Sequence, residues 1–547
     1  MISNRKVILI LSLIVFIAGF LRFYGLGKNP PGLTGDEISF GYAAYSILET
    51  GRDESGHFLP LVIQSIGDYK NPLPAYLMLV SFKIFGVSDF AIRFQNMLFG
   101  TLAVLVFFFF LKYLLKNDLS ALLGSFFLAI SPWNIFYSRF AYEPLIASFF
   151  SFLGIWFFMK MIDKSSMFYA FVSAFFLILT MYTGFAQRLF IPVFLLFLFV
   201  FKSKKIFRTG KVFLVFFGTL LLTVLPLVYT SLFQGASTRF KMVFIANDIN
   251  FVRYVIFGYP HNLIDFIYLF FFWVKRYLGY INPRFVFSDA LQMVIPGNIG
   301  VGILYPFEGL FLILGIFEFI RKKFFHKDIL IIWLFTGLFP DSITNNEQHA
   351  GRLLHIAFVV FIFIVLGALR FWRWLKVNLL PYRRYTIITV FFLFALLNIL
   401  FSWLVFRIHF PYQKGESFDE GWREAIYAVI KYEKDYDKII FDIRRGVDGL
   451  HIVSNPHMYL LFYSKYNPAR YQALEKVYNL YGDNEPYFGF DKYSFGYINW
   501  YRDSNYKNAL LVGSPWSFPK EEELGNHLLE KIYLSNGKVA FYIVSTK

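Results

Sequence analysis

Met1-Ile-Ser-Asn-Arg-Lys-Val-Ile-Leu-Ile-Leu-Ser-Leu-Ile-Val-Phe-Ile-Ala-Gly-Phe-Leu-Arg-Phe-Tyr24 sets two cations, Arg5 and Lys6, before a long, mainly apolar run from Val7 to Phe23 that carries one charge, Arg22, near its end. A helix needs about 20 such residues to cross the hydrocarbon core of a bilayer. No small-residue cleavage site follows the run, so it reads as an uncleaved first span rather than a removable signal. Comparable runs recur at Val104–Leu115, Leu145–Met161 and Ile387–Phe406.

Composition agrees with a chain that lives in lipid. Of 547 residues, 57% are hydrophobic and 16% charged, against roughly a quarter charged in a soluble domain. The net charge of +17 does not point to nucleic acid. The Lys and Arg residues form short clusters between apolar runs, as the positive-inside rule requires. The chain has no Cys, which excludes disulfides and thiolate metal sites. It also has neither Walker A nor Gly-x-Gly-x-x-Gly, the loops that cradle nucleotide phosphates.

Charge threads the spans. With Arg5 and Lys6 on the cytoplasmic side, about eleven spans are expected, at about 7–23, 90–112, 119–136, 144–161, 167–183, 189–201, 212–232, 301–320, 328–340, 353–370 and 386–408. Every strongly basic connector then falls on the cytoplasmic face. This holds if Leu263–Tyr280, which contains Asp265, Lys275 and Arg276, lies in the interface instead of crossing alone. From about Pro411 no run can span, so the expected organisation is a membrane domain, 1–410, and an extracytoplasmic soluble α/β domain, 411–547. In the latter, Trp422–Tyr432 has helical periodicity. Lys438–Ile443, Ala509–Gly513 and Val539–Val544 read as strands, the last after an Asn536-Gly537 turn.

Polar residues near a membrane core are costly and need a reason. Gly35-Asp36-Glu37 follows the first span. One reading makes these carboxylates a helix N-terminal cap before Ile38–Thr50; the other makes one of them the base that takes a proton from an acceptor hydroxyl. Lys70, in Tyr69-Lys70-Asn71-Pro72-Leu73-Pro74, is either a phosphate-facing cation or an interfacial lysine. Arg139 and Glu143 have the spacing of an intrahelical salt bridge and also sit at an outer span end. Arg93, Arg188 and Arg352 open spans on the same face and suit an anionic ligand. His349 has the chemistry of a divalent-metal ligand, with no second His beside it.

In this order these stretches resemble the GT-C superfamily of membrane glycosyltransferases. The branch is that of the protein O-mannosyltransferases and the lipid A aminoarabinose transferase, glycosyltransferase family 39-like. The stretches are Gly35-Asp36-Glu37 with Gly56-His57-Phe58-Leu59-Pro60; Tyr69-Lys70-Asn71-Pro72-Leu73; Phe85-Gly86-Val87-Ser88-Asp89-Phe90-Ala91-Ile92-Arg93; and Ser131-Pro132-Trp133 through Arg139 to Glu143. The resemblance covers roughly residues 1–410. Asn71 stands where the branch has the first proline of Lys-Pro-Pro-Leu, and Glu143 where many relatives have Asp.

The resemblance implies a GT-C fold with juxtamembrane helices on the outer face. It implies an enzyme that moves a hexose or pentose from a polyprenyl-phosphate donor to an acceptor hydroxyl, with inversion, on the extracytoplasmic side of the plasma or inner membrane. Asp36 is then the base, Glu37 places the acceptor, and Glu143 is the second acidic residue. Lys70 contacts the donor phosphate, and Arg352 lies near it; Arg93, Arg139 and Arg188 join them as candidate donor-phosphate ligands. The co-substrate is the lipid-phosphate sugar, a divalent metal remains open, and the acceptor is a protein, a glycolipid or a glycan. Two other readings stand beside this one: a flippase of lipid-linked glycans, which would place polar groups at mid-membrane, and a non-catalytic cell-envelope assembly subunit.

Overall fold

A computed structural model describes residues 3–65, 68–206, 210–233, 243–252, 262–289, 300–323, 325–345, 348–479 and 487–547. The chain divides into two compact units. One comprises Met1–Tyr24, Asn71–Pro74 and Arg93–Val405; the other comprises Gly25–Lys70, Ala75–Ile92 and Phe406–Lys547.

The first unit is helical. Its first element is α1 (Asn4–Phe23); α2 (Gly35–Thr50) and most of α3 (Leu73–Phe85) come next in the chain but belong to the second unit. There follow α4 (Asp89–Leu115), α5 (Asp118–Ile130), α6 (Pro132–Tyr137), α7 (Glu143–Lys164), α8 (Met167–Thr183), α9 (Phe185–Ile206) and α10 (Gly210–Phe233). Then come α11 (Leu263–Gly279), α12 (Pro306–Arg321), α13 (Lys327–Ser342), α14 (Ala357–Asn378) and α15 (Pro381–Leu404). Among the described residues, seven helices are long and apolar enough to cross a membrane, and three shorter apolar helices accompany them. The chain is an integral membrane protein. The stretch expected to lie in the interface is helix α11, none of whose residues is fully buried.

One expectation is corrected locally. The span expected at 119–136 is two helices: α5 stops at Ile130, and Ser131 Oγ accepts from the Asn134 amide at 3.2 Å to start α6. Pro132 explains the break, since it has no amide to continue the ladder but suits the first turn of a helix. Arg352 lies at the start of the span expected at 353–370, in a tighter turn. Ala350–Ile356 is a 3-10 turn leading into α14.

Small residues set the helix packing, as membrane interfaces favour. At Gly315 of α12 an added Cβ would lie 1.7 Å from the Phe363 carbonyl oxygen, and at Gly367 of α14 it would lie 1.8 Å from that of Phe311. The two backbones touch, and only glycine fits. The unit also buries a cation. Arg22 of α1 is fully enclosed and donates to Asn134 Oδ1 at 2.7 Å and to the carbonyls of Ala18, Ala129 and Leu128. A guanidinium with five donors survives burial on such acceptors.

The second unit joins residues from both ends of the chain. Its sheet has seven strands: β3 (Lys438–Asp442), β6 (Val477–Asn479), β7 (Tyr487–Phe490), β8 (Tyr493–Gly496), β9 (Ala509–Gly513), β10 (Leu528–Tyr533) and β11 (Val539–Ser545), in the order β10-β11-β9-β3-β8-β7-β6. Strand β3 runs parallel to β8 and β9, and the other pairings are antiparallel. Ile440, Leu511 and Val544 fill its core, which is why those apolar runs read as strands. A hairpin, β1 (Ile63–Ser65) and β2 (Asp68–Lys70), and a short pair, β4 (Arg444–Arg445) and β5 (Ile452–Val453), complete the strands among the described residues. Helices α16 (Trp422–Tyr432) and α17 (Pro456–Tyr463) belong to the same unit.

Helix α2 is sewn into this unit by specific bonds. Tyr459 of α17 donates to the Leu33 carbonyl at 2.9 Å. Gln472 Nε2 donates to Ser46, Thr50 and the Asp53 carbonyl. Gly32 lies so close to Phe418 that a Cβ would sit 2.1 Å from its carbonyl oxygen.

Candidate active site

The first turn of α2 separates two neighbouring carboxylates. Its cap is Thr34: Thr34 Oγ1 accepts from the Glu37 amide at 3.3 Å, and the Thr34 amide donates to Glu37 Oε2 at 3.0 Å. This capping box satisfies two amides reciprocally. It takes the Glu37 carboxylate, which is fully buried. Asp36, one residue earlier, projects a side chain that is 61% exposed.

Lys70 ends β2, opposite Ile63 in the hairpin register. Its side chain is only 3% exposed, and its ammonium lies 2.5 Å from Asp36 Oδ1 and 5.0 Å from the centre of the Phe40 ring. A buried ammonium requires such partners, because removing a lone charge from water is costly.

Asp36 and Lys70 border a cavity of about 470 Å³ whose other wall comes from the C-terminal stretch. Arg445 of β4 forms an ion pair there with Asp419 and donates to the Glu416 carbonyl at 2.6 Å. Glu416 in turn accepts from the Val447 amide at 2.7 Å. Ser454, Asn455 and Tyr459 add polar lining. The wall therefore offers carboxylates, cations, hydroxyls and an amide, the donors and acceptors that a polyhydroxy ligand needs.

The same unit holds a further buried acid within electrostatic reach of Lys70. Burial pushes the Glu54 carboxyl up to about 7, aided by the neighbouring Asp53 charge; a Ser65 hydrogen bond and the charges of Lys70 and Lys476 pull the other way. Asp53 itself is fully buried and accepts from the Ser55 and His57 amides at 3.0 and 2.9 Å.

The remaining candidates belong to the first unit. Arg139 occupies the turn between α6 and α7, so it shares no helix with Glu143, which opens α7. Arg139 donates to the carbonyls of Leu21, Arg22 and Tyr24 at the end of α1, at 3.1, 3.3 and 3.0 Å. These are the carbonyls a helix end leaves unsatisfied. Arg93 is buried near the start of α4. Arg188 donates to Asn71 Oδ1 at 2.5 Å, a bond that proline at this position would not offer. Arg352 pairs with Asp341 at 3.0 Å and also donates to Thr344 Oγ1. Asp341 is further bound by the Tyr280 hydroxyl and the His349 amide, at 2.7 and 2.8 Å. The His349 ring lies by the Tyr142 hydroxyl. Among the described residues no group of three His, Cys, Asp or Glu side chains is placed to hold a metal ion.

Sequence reasoning missed Asp419, Arg445 and Glu416. They follow the last expected span and belong to no motif; only the composition change after Pro411 marked their region.

Comparison with known proteins agrees with this architecture. Residues 69–229 match the family described as dolichyl-phosphate-mannose-protein mannosyltransferase. No curated protein matches in sequence. Two solved structures are similar over nearly the whole chain. ArnT from Cupriavidus metallidurans in the apo state is 12% identical, with a TM-score of 0.55, covering 97% of this chain and 97% of that one. ArnT from the same organism bound to undecaprenyl phosphate is 14% identical, with a TM-score of 0.56, covering 100% and 99%. At this identity the likeness is one of fold.

Proposed function

We propose that this chain is a membrane glycosyltransferase of the GT-C superfamily, and that it moves a sugar from a polyprenyl-phosphate donor to an acceptor hydroxyl at the Asp36–Lys70 cavity; the matched family and the fold support this reading. The observation that carries the reading is the exposed Asp36 carboxylate held by a buried Lys70 at the cavity edge. The matched family is described by a dolichyl-phosphate-linked donor, and one similar ArnT structure holds undecaprenyl phosphate.

In this reading the acceptor oxygen attacks the anomeric carbon as the bond to the phosphate oxygen breaks. Asp36 takes the acceptor proton, and polyprenyl phosphate leaves with the bonding pair. Attack opposite to the leaving group inverts the anomeric centre. Lys70 then faces the phosphate as its negative charge grows, an electrostatic role that is strongest where water is excluded. Glu37 holds the turn that presents Asp36. Arg445, Asp419 and the polar C-terminal wall bind sugar or acceptor hydroxyls; the acceptor is a protein, glycolipid or glycan. Placing this site on the extracytoplasmic face follows the charge of the connectors.

The test is transfer from a panel of polyprenyl-phosphate sugars by the purified full chain in detergent. Wild type transfers at least one of them, and Asp36→Asn remains folded but inactive. Undiminished transfer by Asp36→Asn would remove the base from this reading.

A further inference from the structure

A second cavity, of about 450 Å³, opens at the basic ends of α12 and α14. Its polar lining is Arg370, Arg373 and Asn378; its apolar lining includes Leu314, Phe371 and Val377. The reaction described above uses none of these residues.

The two guanidiniums are held by one carboxylate. Arg370 donates to Glu318 Oε2 at 2.8 Å and Arg373 to Glu318 Oε1 at 2.6 Å. Lys322 adds a third cation, 2.8 Å from Glu318 Oε1. Three positive charges against one negative charge leave the site short of anions. The guanidiniums are also short of acceptors. Arg370 spends one donor on Glu318, and Arg373 spends one there and one on the Leu369 carbonyl. Each has five, and Arg373 is 54% exposed. The close crossing at Gly315 and Gly367 explains the arrangement, because Glu318 and Arg370 each lie three residues, close to one helical turn, beyond those glycines.

The surroundings identify the kind of anion. Trp374 lines the cavity, Trp372 and Trp374 flank Arg373 in the chain, and Tyr382 and Tyr385 open α15 together with Arg383 and Arg384. Aromatic rings and cations mark the level of lipid headgroups, and basic pockets between spans take anionic headgroups. Free phosphate would need only the cations. A phospholipid also needs an apolar path for its chains, which Leu314 and Phe371 supply beside the arginines.

We propose that this cavity is a binding site for an anionic phospholipid, with the phosphodiester on Arg370 and Arg373 and the acyl chains against Leu314 and Phe371. The site is separate from the transfer reaction, and its failure would leave that reading untouched.

The experiment uses the full chain in detergent micelles and reads tryptophan fluorescence against brominated lipids. Brominated phosphatidylglycerol should quench more strongly than brominated phosphatidylcholine, and Trp374→Phe should remove most of that difference. The variant Glu318→Gln with Arg370→Gln and Arg373→Gln, which leaves no orphaned carboxylate, should weaken the phosphatidylglycerol effect by roughly tenfold. Inorganic phosphate at equal concentration should not displace the lipid. Equal quenching by both lipids overturns the proposal, as does an unchanged preference in the triple variant. Displacement by inorganic phosphate would make the site a phosphate site and also overturn it. Should the triple variant fail to fold, the wild-type and Trp374→Phe comparison decides alone.

Discussion

Lys70 and Asp36 form an ion pair of unequal exposure: the ammonium is almost wholly buried and the carboxylate mostly open. The lysine is thus fixed by the fold, while the acid is left to meet something outside. Asp36→Asn keeps an amide oxygen beside the buried ammonium but removes its counter-charge, so it should cost about 1–3 kcal/mol without unfolding the protein. Asp36→Asn should lower transfer by about 10²–10⁴-fold, the range for loss of a positioned base, far more than its modest loss of stability explains. Lys70→Met should lower kcat by roughly 10²-fold or more, while Lys70→Arg restores part of it; single-turnover rates at saturating donor would show this.

Glu37 should behave differently from its neighbour. Its carboxylate belongs to the capping box, a task glutamine also performs. Glu37→Gln should keep both stability and transfer, whereas Glu37→Ala should cost about 1 kcal/mol and lower transfer in step with the loss of folded protein. A dead but stable Glu37→Gln would assign Glu37 a direct part in the chemistry.

Glu54 predicts a pH dependence of stability. Its folded carboxyl titrates at about 7, above the ordinary value of 4.5. Between those values the folded chain keeps a proton the unfolded chain has lost, so stability falls as pH rises through that window. The ceiling is about 3 kcal/mol. Unfolding midpoints measured from pH 4.5 to 8 should decline in wild type and flatten over that interval in Glu54→Gln.

The glycine crossing predicts a sharp contrast. Gly315→Ala forces a methyl group onto the Phe363 carbonyl and should destabilise by about 1–3 kcal/mol. Gly19→Ala, whose methyl would meet only Thr101 at 3.8 Å, should be neutral or slightly stabilising. Thermal unfolding of the two variants side by side checks this.

The charge threading predicts that a reporter fused after Lys547 is extracytoplasmic. A membrane-impermeant label on intact cells measures it, and a cytoplasmic reporter would require an even number of spans.

The sequence by itself determined that this is a membrane chain. Apolar runs, clustered cations and the composition change after Pro411 are one-dimensional signals, each enforced by the cost of polar groups in hydrocarbon. It also marked Asp36, Lys70 and the strands of β3, β9 and β11. Adjacent residues look equivalent in one dimension, so only the family resemblance told Asp36 from Glu37; the helix start gives the physical difference, burying one carboxylate in its cap and turning the other outward. Nor could it show that Asp419 and Arg445 line the cavity that Asp36 borders. That depends on α2 packing with the C-terminal residues into one unit. It likewise could not say that Arg139 binds backbone carbonyls while Arg370 and Arg373 keep donors to spare. A cation's task depends on which acceptors the fold brings within reach, and only the tertiary structure decides that.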